Sequence, residues 1–296
     1  MTATVIDGKE IAEQIKAEVR RDTDDLRRRN GVTPGLAFIL VGENPASQVY
    51  VRAKGKACEE MGFHSVTERL SETTSQDQLL DLIRRFNADS RIHGILVQLP
   101  LPKHIDENVV IETVDYRKDV DGFHPVNVGK LVIGQPCWRP CTPAGVQELL
   151  VRSGNDPSGK HVVVAGRSNI VGKPIMNILL QKHQGANAVV TIVHTGAKDM
   201  ATFTRQADIL IAAIGRPEAI TGDMLKPGCV VIDVGINRVP DSSAKNGSRI
   251  TGDVHFASAS QIASAITPVP GGVGPMTIAM LMKNTLDAAI QQSVSQ

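Results

Sequence analysis

The sequence predicts an α/β protein of two domains, the second a Rossmann-like parallel sheet with helices on both faces. Strand-like and helix-like segments alternate throughout the 296 residues, as they do in folds with a mainly parallel sheet. Four apolar segments of the second half are short, rich in β-branched residues and nearly continuous, which is typical of strands buried on both faces. These segments are 162–165, 189–193, 209–214 and 230–234.

The first half reads as repeated strand–helix units. An amphipathic, charged stretch at 9–29 predicts a helix that ends at Asn30-Gly31, a C-cap signal. After an apolar strand at 36–41, Ser47 is the expected N-cap of a helix that runs to about Met61. The remaining predicted elements are a strand near Val66, a helix at 76–86 and a buried strand at 94–98.

The most turn-rich stretch of the chain, 153–159, separates the two halves. We predict a catalytic domain over 1–145, completed by a C-terminal helix at 277–296, and a Rossmann-like nucleotide-binding domain over 146–276. We expect a cleft between the domains, since clefts of this kind are the usual place for a cofactor to meet a substrate.

Composition and charge argue against several classes of function. Lys plus Arg number 32 against 31 for Asp plus Glu, and aromatic residues make up 3%, which disfavours a nucleic-acid partner. No apolar run approaches the roughly 20 residues that span a bilayer, and the N-terminus does not resemble a signal peptide. Four scattered cysteines are not a disulfide framework, and no histidine spacing suggests a metal site. We therefore expect a cytoplasmic protein without a membrane or nucleic-acid partner.

A glycine-containing turn, Gly166-Arg167-Ser168, follows the first strand of the second half. A strand–turn–helix of this kind presents backbone N–H groups and a positive dipole end to phosphate. Ser168 replaces the second glycine of GxGxxG, so the motif alone fits a tight turn without a ligand equally well. The second strand ends at Val193 and is followed by His194-Thr195, without the carboxylate that NAD-binding units usually have there. Because Arg167 and Ser168 can bind a 2′-phosphate, we predict NADP rather than NAD.

Tyr50 and Lys54 lie four residues apart on one predicted helix and therefore share a face. An amphipathic surface pair is the commonest meaning of this spacing. The acid–base pair of short-chain dehydrogenases is a second meaning, but in that family the pair follows the glycine-rich turn. Here the pair precedes Gly166 by more than a hundred residues, which argues against the short-chain interpretation.

Further motifs accompany this pair in a fixed order along almost the whole chain. They are SxxYxxxK from Ser47, GILVQLPLP from Gly94, KDVDGF from Lys118, GRS and VGKP from Gly166, DVGIN from Asp233, GDV from Gly252 and TPVPGGVGPMT from Thr267. The last of these is long and highly specific. The ordered set resembles the methylenetetrahydrofolate dehydrogenase/cyclohydrolase family.

The resemblance implies a bifunctional enzyme that oxidises methylenetetrahydrofolate with NADP and then hydrolyses the methenyl product. Its implied catalytic residues are Lys54, Tyr50 and Gln98. Lys54 would activate water or shuttle a proton, which requires a partly neutral amine, and Gln98 would position that amine by a hydrogen bond. Tyr50 would stack on the folate rings and help to orient Lys54. Asp121 would accept hydrogen bonds from the pterin, a task suited to a carboxylate, whereas Asp119 fits a turn or capping role as well.

The resemblance also implies ligand contacts and an assembly. The substrate-binding residues are Tyr50, Lys54, Val97, Gln98, Leu99, Asp121, Pro270, Gly271 and Gly272. The cofactor-binding residues are Gly166, Arg167, Ser168, Thr195 and Ile236. Members of this family form homodimers, so the resemblance implies a homodimer here as well. Two alternatives stay open: another NADP-dependent dehydrogenase with Tyr50 and Lys54 as acid and base, and a non-catalytic NADP-binding sensor, which should have lost Lys54 or Gln98.

Overall fold

A computed structural model of the chain describes residues 2–243 and 247–294. The chain forms two compact units, which we name by their sheets. The six-stranded unit comprises Met1–Ala12 and Thr142–Thr277, and the three-stranded unit comprises Glu13–Cys141 and Ile278–Gln296.

The described residues form eleven strands and ten α-helices. The strands are β1 (Thr4–Val5), β2 (Gly35–Val41), β3 (His64–Leu70), β4 (Gly94–Val97), β5 (His161–Ala165), β6 (Val189–Val193), β7 (Ile209–Ala212), β8 (Val230–Asp233), β9 (Asn237–Pro240), β10 (Ser248–Thr251) and β11 (Ala265–Ile266). The helices are α1 (Gly8–Asn30), α2 (Pro45–Met61), α3 (Gln76–Ala88), α4 (Glu107–Thr113), α5 (Pro125–Val132), α6 (Cys141–Arg152), α7 (Gly172–Leu179), α8 (Ala201–Thr204), α9 (Phe256–Ala259) and α10 (Val273–Val294).

The three-stranded unit is organised around β2, which pairs in parallel with β3 on one side and β4 on the other. Every residue of β2 is buried, as its uninterrupted apolar sequence predicts. Helix α3 packs its apolar face on this sheet, and a capping box of Ser75 and Gln78 satisfies its first N–H groups. At the other end, Lys118 Nζ donates to the carbonyl oxygens of Phe86 and Asp89, at 3.0 and 2.8 Å, and so caps the last turn.

The start of α2 differs from the sequence prediction. The helix begins at Pro45, and Asn44 Oδ1 accepts the N–H of Ser47 at 3.1 Å. Ser47 therefore lies inside the first turn and is not the N-cap. Proline is favoured at the first helical position because its φ angle is already helical and it has no N–H to leave unsatisfied, and this preference sets the boundary.

The six-stranded unit is a parallel sheet in the order β1-β11-β8-β7-β5-β6. Strands β5 to β8 are the four apolar segments of the sequence prediction. Strands β5, β7 and β8 lie in the core of this unit, but the prediction of burial on both faces is wrong for β6. It is the edge strand of the sheet, and only Val193 of its five residues is buried. A hairpin of β9 and β10 follows β8. Because β5 pairs with both β6 and β7, the strand order reverses at β5, and ligands of doubly wound sheets bind at such a switch point. The predicted α/β class is confirmed. Within the described ranges, every helix is too short or too polar to cross a membrane.

His93 joins two strands of the three-stranded sheet. Its Nδ1 atom accepts the backbone N–H of Gly35, at 2.9 Å, so the ring must be unprotonated at this nitrogen. Burial lowers the pKa of His93 below its ordinary value of 6.5, and the charge of Lys118 adds to this effect. The folded state therefore binds fewer protons than the unfolded chain as the pH falls through 6.5, and stability is lost on acidification.

We predict that His93→Asn reduces this acid sensitivity, because the asparagine Oδ1 can accept the Gly35 N–H without titrating. Between pH 7.5 and 5.5 the wild type should lose about 1 kcal/mol more of its free energy of unfolding than the variant, because a proton that only the unfolded chain binds changes stability by at most about 1.4 kcal/mol per pH unit. Urea unfolding of both proteins at each pH measures the difference. Equal losses in the two proteins would contradict this role of His93.

Candidate active site

The turn that follows β5 brings two backbone segments too close for side chains. Gly166 has a φ of +138°, and a Cβ atom there would overlap the carbonyl oxygen of Ala213, at the end of β7. A Cβ atom on Gly172, the first residue of α7, would overlap the carbonyl oxygen of Gly166. These are the tight turn and the close strand–helix packing that glycines provide in dinucleotide-binding units, so the turn fits a dinucleotide.

Four predicted cofactor-binding residues, Gly166, Arg167, Ser168 and Thr195, lie at the carboxyl ends of β5 and β6. Gly166 N–H donates to Val193 O, at 2.8 Å, which ties the two strand ends together. Arg167, Ser168 and Thr195, which follow these strands, are all exposed. Nothing between Val193 and Lys198 carries a carboxylate. The side chains at this edge can therefore contact a phosphate without repulsion from an acid.

The first carboxylate after β6 is Asp199, and it is engaged elsewhere. Its oxygens accept the N–H of Ala201, at 2.9 Å, and the hydroxyl of Thr202, at 2.6 Å. The hydrogen bond from Thr202 makes the largest contribution to lowering the pKa of Asp199 below its ordinary value. Asp199 thus accepts hydrogen bonds from the first residues of α8.

Ile236 and the Pro270–Gly272 segment belong to the same unit. Ile236 follows β8 and is 53% exposed. The glycines of the segment lie directly before α10: Gly271 has a φ of +111°, and a Cβ atom on Gly8 would overlap the carbonyl oxygen of Gly272. Backbone packing requires the glycines at positions 8 and 272 whether or not a ligand is bound.

In the three-stranded unit, Lys54 and Gln98 form a hydrogen-bonded pair. Lys54, on α2, is only 7% exposed, and its Nζ donates to Gln98 Oε1 at 3.1 Å. Gln98 follows β4, and its Nε2 donates to Leu99 O at 2.8 Å. Because this bond occupies the amide nitrogen, it is the amide oxygen that faces the lysine. Tyr50, one helical turn before Lys54, is 42% exposed and available to a ligand.

Asp121 lies in a pocket of the same unit. Val97, Leu99 and Phe123 line the pocket together with Asp121, so three of the predicted substrate-binding residues meet there. The pocket combines apolar walls with two carboxylates, those of Asp119 and Asp121, and a carboxylate can accept hydrogen bonds from the N–H groups of a ligand.

Asp119 serves the loop that carries Asp121. Its carboxylate accepts the N–H groups of Gly122, Phe123 and His124 and the side-chain amide of Asn127, at 3.1, 3.2, 2.8 and 2.8 Å. Burial raises the pKa of Asp119 to about 7, although these hydrogen bonds oppose the shift. Both oxygens are occupied, so Asp119 holds the turn.

Two buried residues that the sequence analysis did not single out support this loop. Asn284, on α10, donates to the carbonyl oxygens of Val120 and Arg139, at 2.8 and 3.0 Å. The thiol of Cys141 donates to Val120 O at 3.4 Å, and burial raises its pKa well above the ordinary value of 9.0, with Asp121 adding to the shift. Both side chains therefore fix the backbone next to Asp121. No local signal marks Asn284, because its partners lie 145 and 164 residues away.

A Rossmann sheet with a glycine turn at its switch point, accompanied by a second α/β unit, defines an enzyme of the NAD(P)-binding class. Sequence models of protein families place the chain more narrowly. The model of the tetrahydrofolate dehydrogenase/cyclohydrolase NAD(P)-binding domain matches residues 140–293, and the model of the catalytic domain of the same family matches residues 6–121. The chain belongs to the tetrahydrofolate dehydrogenase/cyclohydrolase family.

Individual relatives agree with this assignment. The bifunctional protein FolD of Syntrophobacter fumaroxidans is 58% identical over 289 residues, which cover 97% of each chain. A crystal structure of the bifunctional dehydrogenase/cyclohydrolase FolD from Campylobacter jejuni is 48% identical, with a TM-score of 0.92 over 98% of this chain and 99% of that one. The enzyme from Trypanosoma brucei, solved with NADP cofactor and an inhibitor, is 41% identical, with a TM-score of 0.93 over 100% of both chains. The predicted family and enzyme class are confirmed.

Proposed function

We propose that the chain oxidises 5,10-methylenetetrahydrofolate to 5,10-methenyltetrahydrofolate with NADP and then hydrolyses the product to 10-formyltetrahydrofolate. The observation that carries the proposal is the buried amine of Lys54, held by the amide oxygen of Gln98 in a member of this family. A non-catalytic sensor would have no use for this pair. An ordinary dehydrogenase that used Tyr50 and Lys54 as acid and base would have no use for Gln98.

The hydrolytic step needs proton transfer, and Lys54 is the group that we assign to it. Water attacks the methenyl carbon, the amine accepts a proton from that water, and a proton passes to the ring nitrogen as the carbon–nitrogen bond breaks. The hydrogen bond to Gln98 fixes the direction of the amine and leaves its remaining positions for water and substrate. Gln98 is thus a positioning residue for the amine as well as a proposed substrate contact.

The oxidative step needs positioning more than acid–base catalysis, because the lone pair of the neighbouring folate nitrogen stabilises the methenyl cation as hydride leaves. NADP, when bound, supplies the hydride acceptor. In our proposal Asp121 accepts hydrogen bonds from the pterin N–H groups, and the exposed ring of Tyr50 stacks on the folate. Val97, Leu99 and the Pro270–Gly272 segment complete the substrate contacts.

We propose that Arg167, Ser168 and Thr195 bind the phosphorylated ribose of NADP, with Gly166 allowing close approach. They are exposed at neighbouring strand ends, and no carboxylate follows β6 directly. Ile236, exposed after β8, faces the nicotinamide half in this proposal.

Lys54→Met should abolish hydrolysis and leave oxidation largely intact. Loss of a general base typically costs 10² to 10⁴-fold, so we expect about 100-fold or more here. The assay follows absorbance after methylenetetrahydrofolate and NADP are added, and methenyltetrahydrofolate should accumulate with the variant. Lys56→Met is the matched control, since Lys56 lies on the same helix but is exposed and pairs only weakly with Glu60, at 3.7 Å. Unchanged hydrolysis in Lys54→Met would reduce Lys54 to a positioning role.

Arg167→Ala should raise the KM for NADP and leave the KM for NAD unchanged. A hydrogen bond to a charged group contributes about 1.5–3 kcal/mol, so the rise should be about tenfold or more. Arg205→Ala is the control, because Arg205 is an exposed arginine of the same unit that pairs with Asp223. Equal turnover of the wild type with NAD and NADP would refute the proposed 2′-phosphate site.

We propose further that the enzyme is a homodimer in the cytoplasm. The homodimer is proposed from the family resemblance. The cytoplasmic location is proposed from the four cysteines, all of which are free thiols, as expected in a reducing compartment. Light scattering should give twice the mass of one chain, and cell fractionation should recover the protein with cytoplasmic markers. A monomer, or recovery outside the cytoplasm, would contradict the corresponding part.

A further inference from the structure

Two buried carboxylates of the six-stranded unit, Asp233 and Asp253, take no part in the steps described above. Asp253 is 0% exposed and Asp233 is 3% exposed. Burying two carboxylates is unfavourable unless each finds hydrogen-bond partners. Burial raises the pKa of Asp233 to about 6, and the neighbouring charge of Asp253 contributes to the rise.

Asp253 binds the segment that follows β7. Its Oδ2 accepts the N–H groups of Ile214 and Gly215, at 2.6 and 2.8 Å. Its Oδ1 accepts the N–H of Arg216, at 3.0 Å, and the side-chain amide of Asn237, at 2.8 Å. Four donors fill the roughly four lone-pair positions of a carboxylate, so Asp253 has no position left for a ligand and binds only groups of the protein.

Asp233 makes a second set of contacts at the end of β8. Its Oδ1 accepts the N–H groups of Gly235 and Asp253, both at 2.9 Å, and its Oδ2 accepts the N–H of Val254, at 2.9 Å. Its own N–H donates to Thr267 Oγ1, at 2.8 Å. Asp233 thereby joins the loop after β8 to the residue that carries the other carboxylate.

The glycines beside these aspartates are required by the same packing. A Cβ atom on Gly252 would overlap the carboxylate of Asp233, and a Cβ atom on Gly235 would overlap Asp253. The DVGIN and GDV motifs of the sequence are therefore two parts of one buried structure.

Ile236 lies between two residues that these carboxylates hold. Asp233 accepts the N–H of Gly235, and Asp253 accepts the side-chain amide of Asn237. The side chain of Ile236 is itself 53% exposed, so its own packing constrains it little. We infer that Asp233 and Asp253 are positioning residues of the dinucleotide site, which hold Ile236 and the 214–216 segment in the conformation that the cofactor binds. This inference rests on the proposed function, in which Ile236 contacts the cofactor.

The test separates cofactor binding from hydrolysis, which uses no dinucleotide. In Asp253→Asn an NH₂ group must face N–H donors, so both the Kd and the KM for NADP should rise about tenfold or more, as small displacements in a site can cause. Hydrolysis of added methenyltetrahydrofolate should be unchanged. Asn237→Ala removes only the side-chain link and should shift the Kd in the same direction by less. Asp223→Asn, an exposed acid of the same unit, is the control.

A double-mutant cycle tests whether Asp253 acts through Ile236. In an Ile236→Ala background, Asp253→Asn should weaken NADP binding less than it does in the wild type. Equal effects in both backgrounds would overturn the proposed route through Ile236.

The outcomes are decisive even if one variant is unstable. Wild-type affinity for NADP in folded Asp253→Asn or in Asn237→Ala would overturn the inference. The inference would also be overturned if Asp253→Asn lost oxidation and hydrolysis to the same extent while its affinity for NADP stayed unchanged. If Asp253→Asn does not fold, Asn237→Ala decides. If the wild type does not oxidise methylenetetrahydrofolate, the proposed function fails, but the comparison of Kd values still tests this inference.

Discussion

Parallel strand pairing is the constraint on which the candidate site depends. The carboxyl ends of neighbouring parallel strands lie at one edge of a sheet, so the residues that follow them are brought together whatever their separation in sequence. In the six-stranded unit, Gly166 follows β5, Thr195 follows β6, the 214–216 segment lies after β7 and Ile236 follows β8. In the three-stranded unit, Gln98 follows β4, and the loop after β2 leads into the helix that carries Lys54.

Because several loops meet at each sheet edge, there is little room for side chains, and many backbone N–H groups need hydrogen-bond partners. Glycines relieve the lack of room where two backbone segments approach each other, as at Gly166 and Gly172. Carboxylates satisfy the polar groups: the side-chain oxygens of Asp119 and of Asp253 each accept hydrogen bonds from several N–H groups of one loop. Among the described residues, every fully buried side-chain nitrogen or oxygen atom has a partner. A site built on loops thereby gains the rigidity that binding and catalysis require.

Local patterns were sufficient to predict the elements that carry most of the site. Strands β5 to β8 were predicted because a short apolar run rich in β-branched residues is visible in sequence, but the exposure of β6 at the sheet edge depends on strand order, which the sequence does not reveal. Strands β1 and β11 were not predicted, since each has two residues and forms only through pairing across the chain. The pairing of Lys54 with Gln98 was expected from the family resemblance alone, because the 44 residues between them hide it from any periodicity. The roles of Asn284, Asp233 and Asp253 depend on distant backbone partners, which a single sequence does not reveal.

The serine in the glycine turn has a physical consequence for the cofactor. Ser168 Oγ accepts the N–H groups of Val171 and Gly172, at 3.1 and 3.4 Å, which lie at the start of α7. In a GxGxxG turn such N–H groups are available to the pyrophosphate, whereas here a side chain of the protein already occupies them. The exposed guanidinium of Arg167 is then the charged group that this turn offers to an anion. The exposed Lys198, after β6, adds a second positive charge at the same edge of the sheet, with no carboxylate between it and that strand. Because NAD and NADP share the pyrophosphate and differ only in the 2′-phosphate, it is this positive charge, and not the serine, that favours the phosphorylated dinucleotide.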